Sequence, residues 1–465
     1  MTRRQQGWLL VALPLLLGLG LRLWFIAHLA RIDGDTLLYG DIAKNWLEHG
    51  VYGFTQASVT PRPTLIRLPG YPLFLAACFR VFGIEHYTAV MVVQTVVDLF
   101  TCVVVSALAG RLFGRRAAIA ALWLAALCPF TANYVAAPLT ETLSLMCIAV
   151  AFYGLERWRA TALGVNRWLW VIALALAYAV LLRPEQGLLA AAVLAAMGWL
   201  GWSGGRAVRS VWPVALAAVC LVLPLAPWTV RNWRTFHVVQ PLAPRSATDP
   251  GELKSLGFQR WFRSWSIDFA STEDVYWNYD GAEIDIGDVP SRAFDSEEQY
   301  ERTNALLNDY NQTDNATAAI DARFGKIAAE RIENDPVRYY LALPVARLLD
   351  MTLRPRTEMM PVPLDWWHWE HRAKSFFAAG YAGLNLAYLV LGGVGFWFWR
   401  RRRWDRKPAL AWAMVGFVIL RCAVLLTLDN SEPRYTLEFF PVIFVCSAVV
   451  FSRSSDGRWS SSCRS

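Results

Sequence analysis

Residues 7–29 read GWLLVALPLLLGLGLRLWFIAHL, from Gly7 to Leu29, with Arg22 the one full charge in the run. A helix rises 1.5 Å per residue and a bilayer's hydrocarbon core is about 30 Å thick, so about 20 such residues cross it. The run is too long for a signal-peptide core and no clear small-x-small site follows, so it reads as a retained anchor. Comparable runs recur along the 465 residues, which are 55% hydrophobic and carry 23 Trp. A soluble chain of this length does not hold so much apolar sequence in uninterrupted stretches. The expected fold class is an all-α polytopic membrane protein.

Further spans are expected near 88–110, 116–137, 143–157, 168–182, 187–202, 210–228, 376–399, 408–428 and 436–451, about ten in all. Gly70 to Phe82 is apolar but too short to cross, and reads as an interfacial or re-entrant helix. A hydrophilic stretch separates the two apolar groups. The expected organisation is a membrane module over 1–228, with a first external loop at 30–69, then an external, mostly helical segment over 229–374. A second membrane module and tail follow over 375–465. Within the segment, Ser296-Glu297-Glu298-Gln299 reads as a helix start, and Ala316 to Arg331 has helical apolar spacing. Asn334-Asp335-Pro336 breaks that helix, Val337 to Met351 starts another, and Asp274 to Asp288 reads as loop.

Charge orients the array. Arg3/Arg4, Arg111/Arg115/Arg116, Arg157/Arg159/Arg167, Arg206/Arg209, Arg400 to Arg403 with Arg406/Lys407, and Arg453/Arg458 alternate with the spans and fall on one side. By the positive-inside rule that side is the cytoplasm, with both termini there and the protein multi-pass in an inner (plasma) membrane. The acidic loop after the first span, the Pro138–Glu141 and Arg183–Gln186 turns, the hydrophilic segment and the Asp429–Tyr435 turn then share the external, periplasmic side. The net charge of +8 is spread over these short loops and is no nucleic-acid footprint. Seven of the eight cysteines lie in apolar stretches and Cys463 lies in the tail, so buried small hydrophobes fit better than a disulfide framework or zinc site. No nucleotide fingerprint, Gly-rich phosphate loop or Ser-His-Asp order occurs.

The acidic loop is Asp33-Gly34-Asp35, then Tyr39, Asp41 and Asn45, followed by Arg67-Leu68-Pro69-Gly70-Tyr71-Pro72. Its bland reading is a solvated loop of Asx turns, with Asp41 as the N-cap of a helix. Its functional reading is a carboxylate beside a membrane-level cation. Arg67, Arg183, Arg231 and Arg434 all fall on the same outer rim, where arginine either snorkels to headgroups or forks onto a phosphate. Within spans, Arg22, Asp98 and Arg421 are costly in hydrocarbon, and Asp98 with Gln94 should pair with one of the arginines across helices. Glu141 opens a span and either orients an arginine, contacts substrate or meets the helix dipole. His368 and His371 flank Glu370 at metal-ligand spacing, but the run Trp366-Trp367-His368-Trp369 reads better as an interfacial belt.

The ordered set resembles the GT-C superfamily of polyprenyl-phosphate-sugar glycosyltransferases, in its bacterial protein-mannosyltransferase and lipid A aminoarabinose-transferase group. The acidic loop with Tyr39 and the Arg67–Tyr71 turn carry the resemblance first. Gln94 to Asp98 before Arg111-Leu112-Phe113-Gly114, Leu139-Thr140-Glu141, Leu182-Arg183-Pro184-Glu185 and Pro227-Trp228-Thr229-Val230-Arg231-Asn232 extend it. Glu333-Asn334-Asp335-Pro336 and Glu432-Pro433-Arg434-Tyr435 complete it. Family members often have Asp-Glu at the start of the acidic motif; here it is Asp35-Thr36.

The resemblance implies a sugar moved from a polyprenyl-phosphate donor to an acceptor hydroxyl on the external face, with inversion. Asp35 would be the base, with Asp33 or Asp41 as a second acid. Arg67, Arg183, Arg231 and Arg434 would hold the lipid phosphate, supported by Tyr39, Tyr71, Glu141, Glu432 and Tyr435. Partners would be the lipid-linked sugar, membrane lipids and a glycan, lipid or protein acceptor. No cofactor is expected, and a divalent metal stays open. The competing readings are a lipid or polysaccharide transporter, for which no paired inverted halves are visible, and a non-catalytic assembly subunit.

Overall fold

The computed structural model describes residues 3–55, 60–161, 163–203, 207–313, 316–369, 371–403 and 408–452. Arg206, Asn315, Glu370, Arg406, Lys407, Arg453, Arg458 and Cys463 lie outside the described residues. Among those described, the regular structure is helical apart from one short antiparallel pair, Gly53–Phe54 with Arg62–Pro63.

Seven helices are long and apolar enough to cross a bilayer, and eight if the bent pair Arg115–Ala126 and Pro129–Ala136 is one span. The expected number was about ten. The two remaining candidates are the helices Glu141–Arg159 and Arg167–Leu182. The second is too short. The first carries Glu141 at one end and Glu156, Arg157 and Arg159 at the other. The two pack as an antiparallel hairpin. Glu141 pairs with Arg183 at one end of it, and Glu156 pairs with Arg159 and Arg111 at the other.

The bundle core is built from alanine, leucine and valine on the helices Tyr87–Phe113, Arg115–Ala126, Glu141–Arg159 and Phe440–Ala448. Small side chains let these backbones approach closely. Gly70 shows why. It opens the helix Gly70–Phe82, and a Cβ there would lie 2.5 Å from the backbone of Leu181. The expected cross-helix charge pair is present: Arg22 Nε donates to Asp98 Oδ2 at 2.6 Å, and Nη1 donates to the carbonyls of Gly18 (2.8 Å) and Ala126 (2.7 Å). Arg421 instead pairs with Glu438 and Glu185.

The hydrophilic segment has a core of its own, formed by Phe258, Trp261, Phe262, Trp265, Tyr310 and Phe324. Its helices start where the capping residues stand. Ser296 Oγ accepts from the Gln299 amide at 3.2 Å and Gln299 Oε1 accepts from the Asp295 amide at 2.9 Å. Thr317 Oγ1 caps the helix Ala318–Asn334. Beyond Pro336 the chain does not form one regular helix. A wide π-type turn, Arg338–Ala342, feeds the helix Leu343–Leu353, where Pro344 supplies no amide donor. Asp41 is not an N-cap: the helix begins six residues earlier and runs Asp35–His49.

Candidate active site

The acidic loop is folded by glycine and by one arginine. Gly34 sits at φ +48°, a left-handed conformation that glycine adopts freely, and it turns the chain directly into the helix Asp35–His49. The Arg31 amide donates to the carbonyl of Ala136 at 3.0 Å, while its guanidinium binds Asp33 at 2.9 Å and the carbonyl of Glu358 at 2.6 Å. Asp35 is therefore the first residue of a helix, where the dipole favours a negative charge.

Two cations from distant parts of the chain meet Asp35. Arg67 Nη2 donates to Oδ1 at 2.7 Å, and Arg434 Nη1 lies 3.0 Å from Oδ2. Arg67 is carried by an extended strip. Its neighbour Leu65 donates to Asp249, and its own carbonyl accepts from the Tyr52 hydroxyl at 3.0 Å. Arg434 lies in the tight turn Pro433–Phe439 and also pairs with Glu432. The Pro433 carbonyl is held by the buried Arg356 at 2.9 Å. Burial raises the carboxyl's affinity for its proton, but Arg434 and Arg67 outweigh it and hold Asp35 well below the usual carboxylate range. Burial alone would lower Arg67, and Asp35 reverses that, so the guanidinium stays charged. Burial pushes the Tyr39 hydroxyl up to about 12, so it stays protonated beside Arg67.

A second ionic layer lies behind this pair. Arg183 meets Glu141 at 3.1 Å and Glu185 at 2.7 Å, and Arg421 meets Glu438 at 3.1 Å. Tyr435 joins the layers, its ring centroid 5.3 Å from the Arg183 guanidinium and 5.6 Å from that of Arg434. Tyr71 donates to Gln94 at 2.8 Å and packs edge-on against Tyr39.

A cavity of 980 Å³ opens over Asp35. Of the residues expected from sequence, Asp33, Asp35, Arg67, Glu432, Arg434 and Tyr435 line it. Tyr39, Tyr71, Glu141 and Arg183 stand behind them. Two are not brought to it. Asp41 accepts from the Thr55 amide at 2.6 Å and from Asn45, closing the loop that follows its own helix. Arg231 donates to the carbonyls of Thr64 (2.6 Å) and Tyr52 (2.7 Å) and stacks on Tyr52, Trp228 and Phe236. It pins the strip that carries Arg67. The cavity also takes residues that sequence reasoning passed over: Arg31, Tyr134 and Glu358, and Arg245, Arg260 and Arg263 from the hydrophilic segment. The available signal was Gln259, Arg260 and Arg263 on one helix face opposite Phe258, Trp261 and Phe262, a pattern shared by any solvated amphipathic helix.

Residues 62–230 match the sequence profile of a family described as dolichyl-phosphate-mannose-protein mannosyltransferase. No curated protein matches the chain. Among solved structures, the oligosaccharyltransferase AglB of the archaeon Archaeoglobus fulgidus, in complex with an inhibitory peptide and a dolichol-phosphate, is 13% identical with a TM-score of 0.49. That alignment covers 96% of this chain and 50% of AglB, so the chain spans half the length of that protein. ArnT from Cupriavidus metallidurans bound to undecaprenyl phosphate is 15% identical with a TM-score of 0.41, over 96% of this chain and 78% of ArnT. Its apo form gives 15% and 0.38 over 97% and 77%. The matched segment holds Arg67, Tyr71, Glu141 and Arg183, and over that segment this polytopic helical protein is similar to the mannosyltransferase family.

Proposed function

We propose that the chain is a membrane glycosyltransferase that moves a sugar from a polyprenyl-phosphate donor to an acceptor hydroxyl. One observation carries the reading: Asp35 lies between Arg67 and Arg434 on the wall of a large cavity. The acceptor oxygen attacks the anomeric carbon from the face opposite the phosphate. The O–C1 bond forms as the C1–O bond to phosphate breaks, so the configuration inverts. The acceptor proton passes to the Asp35 carboxylate, and polyprenyl phosphate leaves with its charge held by Arg67 and Arg434.

While doubly paired, Asp35 is a weak base, because its ionised form is over-stabilised. A lipid phosphate competes for the same guanidiniums, whose planar forks suit it. As they turn to the phosphate, burial becomes the dominant influence on Asp35 and its basicity rises. Donor binding thereby prepares the base. Each pKa unit regained is about 1.4 kcal/mol. Asp33, beside Asp35 on the cavity wall, is the candidate for a second acid.

The site is assigned to the external, periplasmic face of an inner membrane with both termini cytoplasmic, because the arginine-rich loops fall on the other side. The 229–374 segment covers the cavity and selects the acceptor, which the lining by Arg245, Arg260 and Tyr339 supports. The step runs through Asp35, Arg67 and Arg434 alone, and the Glu358 oxygen without a hydrogen-bond partner among the described residues is a cavity carboxylate atom open to a divalent cation.

The test is transfer of label from undecaprenyl-phosphate sugars to membrane-extract acceptors, in proteoliposomes. Asp35→Asn should lower turnover by at least ~100-fold. Normal turnover in that variant removes Asp35 as base. Labelled lipid crossing the bilayer without transfer would mark a transporter instead.

A further inference from the structure

The cavity over Asp35 contains a second group of arginines that the transfer step does not use. Arg245, Arg260 and Arg263 line it, and Arg347 lies behind them, fully buried. Their acidic compensation is thin. Arg263 reaches Asp429 at 3.7 Å, and its Nε has no hydrogen-bond partner. Arg245 donates to a backbone carbonyl, that of Thr427, at 2.9 Å. Arg260 makes no hydrogen bond or ion pair among the described residues. Arg347 donates to the carbonyls of Arg263 and Ser266 through Nη1 alone, leaving Nε and Nη2 without partners. Glu273 lines the same cavity but pairs with none of them among the described residues. Burial, with Arg263 adding to it, lowers Arg347 to about 10, as expected where positive charge is in excess.

By contrast, the first group is matched. Arg67 and Arg434 share Asp35 and Glu432, and Arg31 has Asp33. The second group is also rigidly presented. The Asp321 carboxylate accepts from the Gly257 amide at 3.0 Å and the Phe258 amide at 2.8 Å, fixing the start of the helix Leu256–Arg263. Phe258, Trp261 and Phe262 lock the helix's other face into the segment core. Asp429 and Arg434 are five residues apart, so their Cα atoms are at most ~18 Å apart. One bound pair of substrates can touch both groups.

We propose that Arg245, Arg260 and Arg263 form a second anion site, which takes a phosphate or carboxylate carried by the acceptor. The inference rests on the transferase reading above. Three guanidiniums gathered on one cavity wall, with Asp429 as their one paired carboxylate among the described residues, present a positive field that favours an anion over a neutral ligand. A second phosphate on the donor shares this chemistry, and the experiment separates the two sources.

Full-length protein in phosphatidylcholine nanodiscs is saturated with undecaprenyl phosphate and then titrated with glucose 6-phosphate, glucuronate or glucose, with thermal unfolding as the readout. The two anions should stabilise the wild type and glucose should not. The double variant R245A/R260E, altered at two exposed side chains, should weaken the apparent Kd for both anions at least tenfold while its Kd for undecaprenyl phosphate stays within twofold. Equal anion affinity in variant and wild type overturns the proposal. So does a tenfold loss for undecaprenyl pyrophosphate with glucose 6-phosphate unchanged, which assigns the arginines to the donor. If the wild type does not bind undecaprenyl phosphate, the donor reading fails. The anion titration of the lipid-free protein then decides the second site by the same tenfold criterion.

Discussion

Arg434 contacts two carboxylates at once, and this makes its removal costlier than that of Arg67. Without it, the buried Glu432 loses its cation, and burial already raises that carboxyl's pKa. Arg434→Ala should therefore cost roughly 3–5 kcal/mol of stability, the range for breaking a buried pair. Arg67→Ala should cost less, since Asp35 keeps Arg434. Both should lower transfer by ~100-fold or more. The pH dependence follows from the sign of the shift. Asp35 has a folded pKa below its unfolded value, so its contribution to stability is complete above the ordinary carboxylate value near ~3.9. It is lost as pH falls through the lower folded value. In Arg67→Ala that folded value rises, so acid unfolding should begin at higher pH than in wild type, as followed by circular dichroism. An unchanged acid midpoint would contradict the pairing. At this scale the sequence was informative where charge adjoined a turn: Asp35, Arg67 and Arg434 could be singled out. It did not separate Arg434 from Arg231. Both lie near a span end, and only the fold shows that one pairs with a carboxylate and the other donates to carbonyls.

Within the bundle, the pair Arg22–Asp98 ties the first span to the helix Tyr87–Phe113, and Arg22 also reaches Ala126 on a third helix. Asp98→Ala leaves a fully buried guanidinium without its counter-charge, which should destabilise by about 3–5 kcal/mol. Removing both charges, as in R22L/D98L, should recover most of that loss, because a buried pair contributes little beyond an apolar replacement. Thermal unfolding in detergent checks both, and a double variant no better than Asp98→Ala would mean the pair supplies stability in its own right. The need for such a partner was readable from hydropathy alone, since a charge inside a span must be met. A helix start was readable at Ser296, whose side chain caps as its spacing indicates, whereas the cap at Thr317 was seen only in the fold. The reading of Asp41 as a cap missed because Asp35, set by the positive φ of Gly34, starts the helix earlier. The two expected spans that are short or charge-ended, Glu141–Arg159 and Arg167–Leu182, form a hairpin with ion pairs at both ends.

Across the whole molecule, the cavity exists only because many distant stretches close on it, and hydropathy cannot register such pairings. Among them, the acidic loop, the Arg67 strip, the turn after Phe130, the 428–435 turn and the helix Leu256–Arg263 have no local sequence feature in common. The last of these makes the two halves of the protein interdependent. Trp261 is fully buried in the hydrophilic segment's core, while Arg260 beside it lines the cavity. Trp261→Ala should cost about 3–5 kcal/mol locally through the cavity it leaves. The bundle core is a separate cluster and should be untouched. Limited proteolysis should therefore cut the 256–334 region, which holds this core, faster in this variant while the membrane helices stay protected. Undecaprenyl phosphate binding should stay within twofold of wild type, because Arg67 and Arg434 are held by Tyr52, Asp249 and Arg356 rather than by the segment core. Acceptor KM should rise instead, since the wall carrying Arg260 and Arg263 loses its support. Equal weakening of lipid binding and acceptor use would show that the segment and the bundle form one cooperative unit, and the division of labour between the two arginine groups would fall with it.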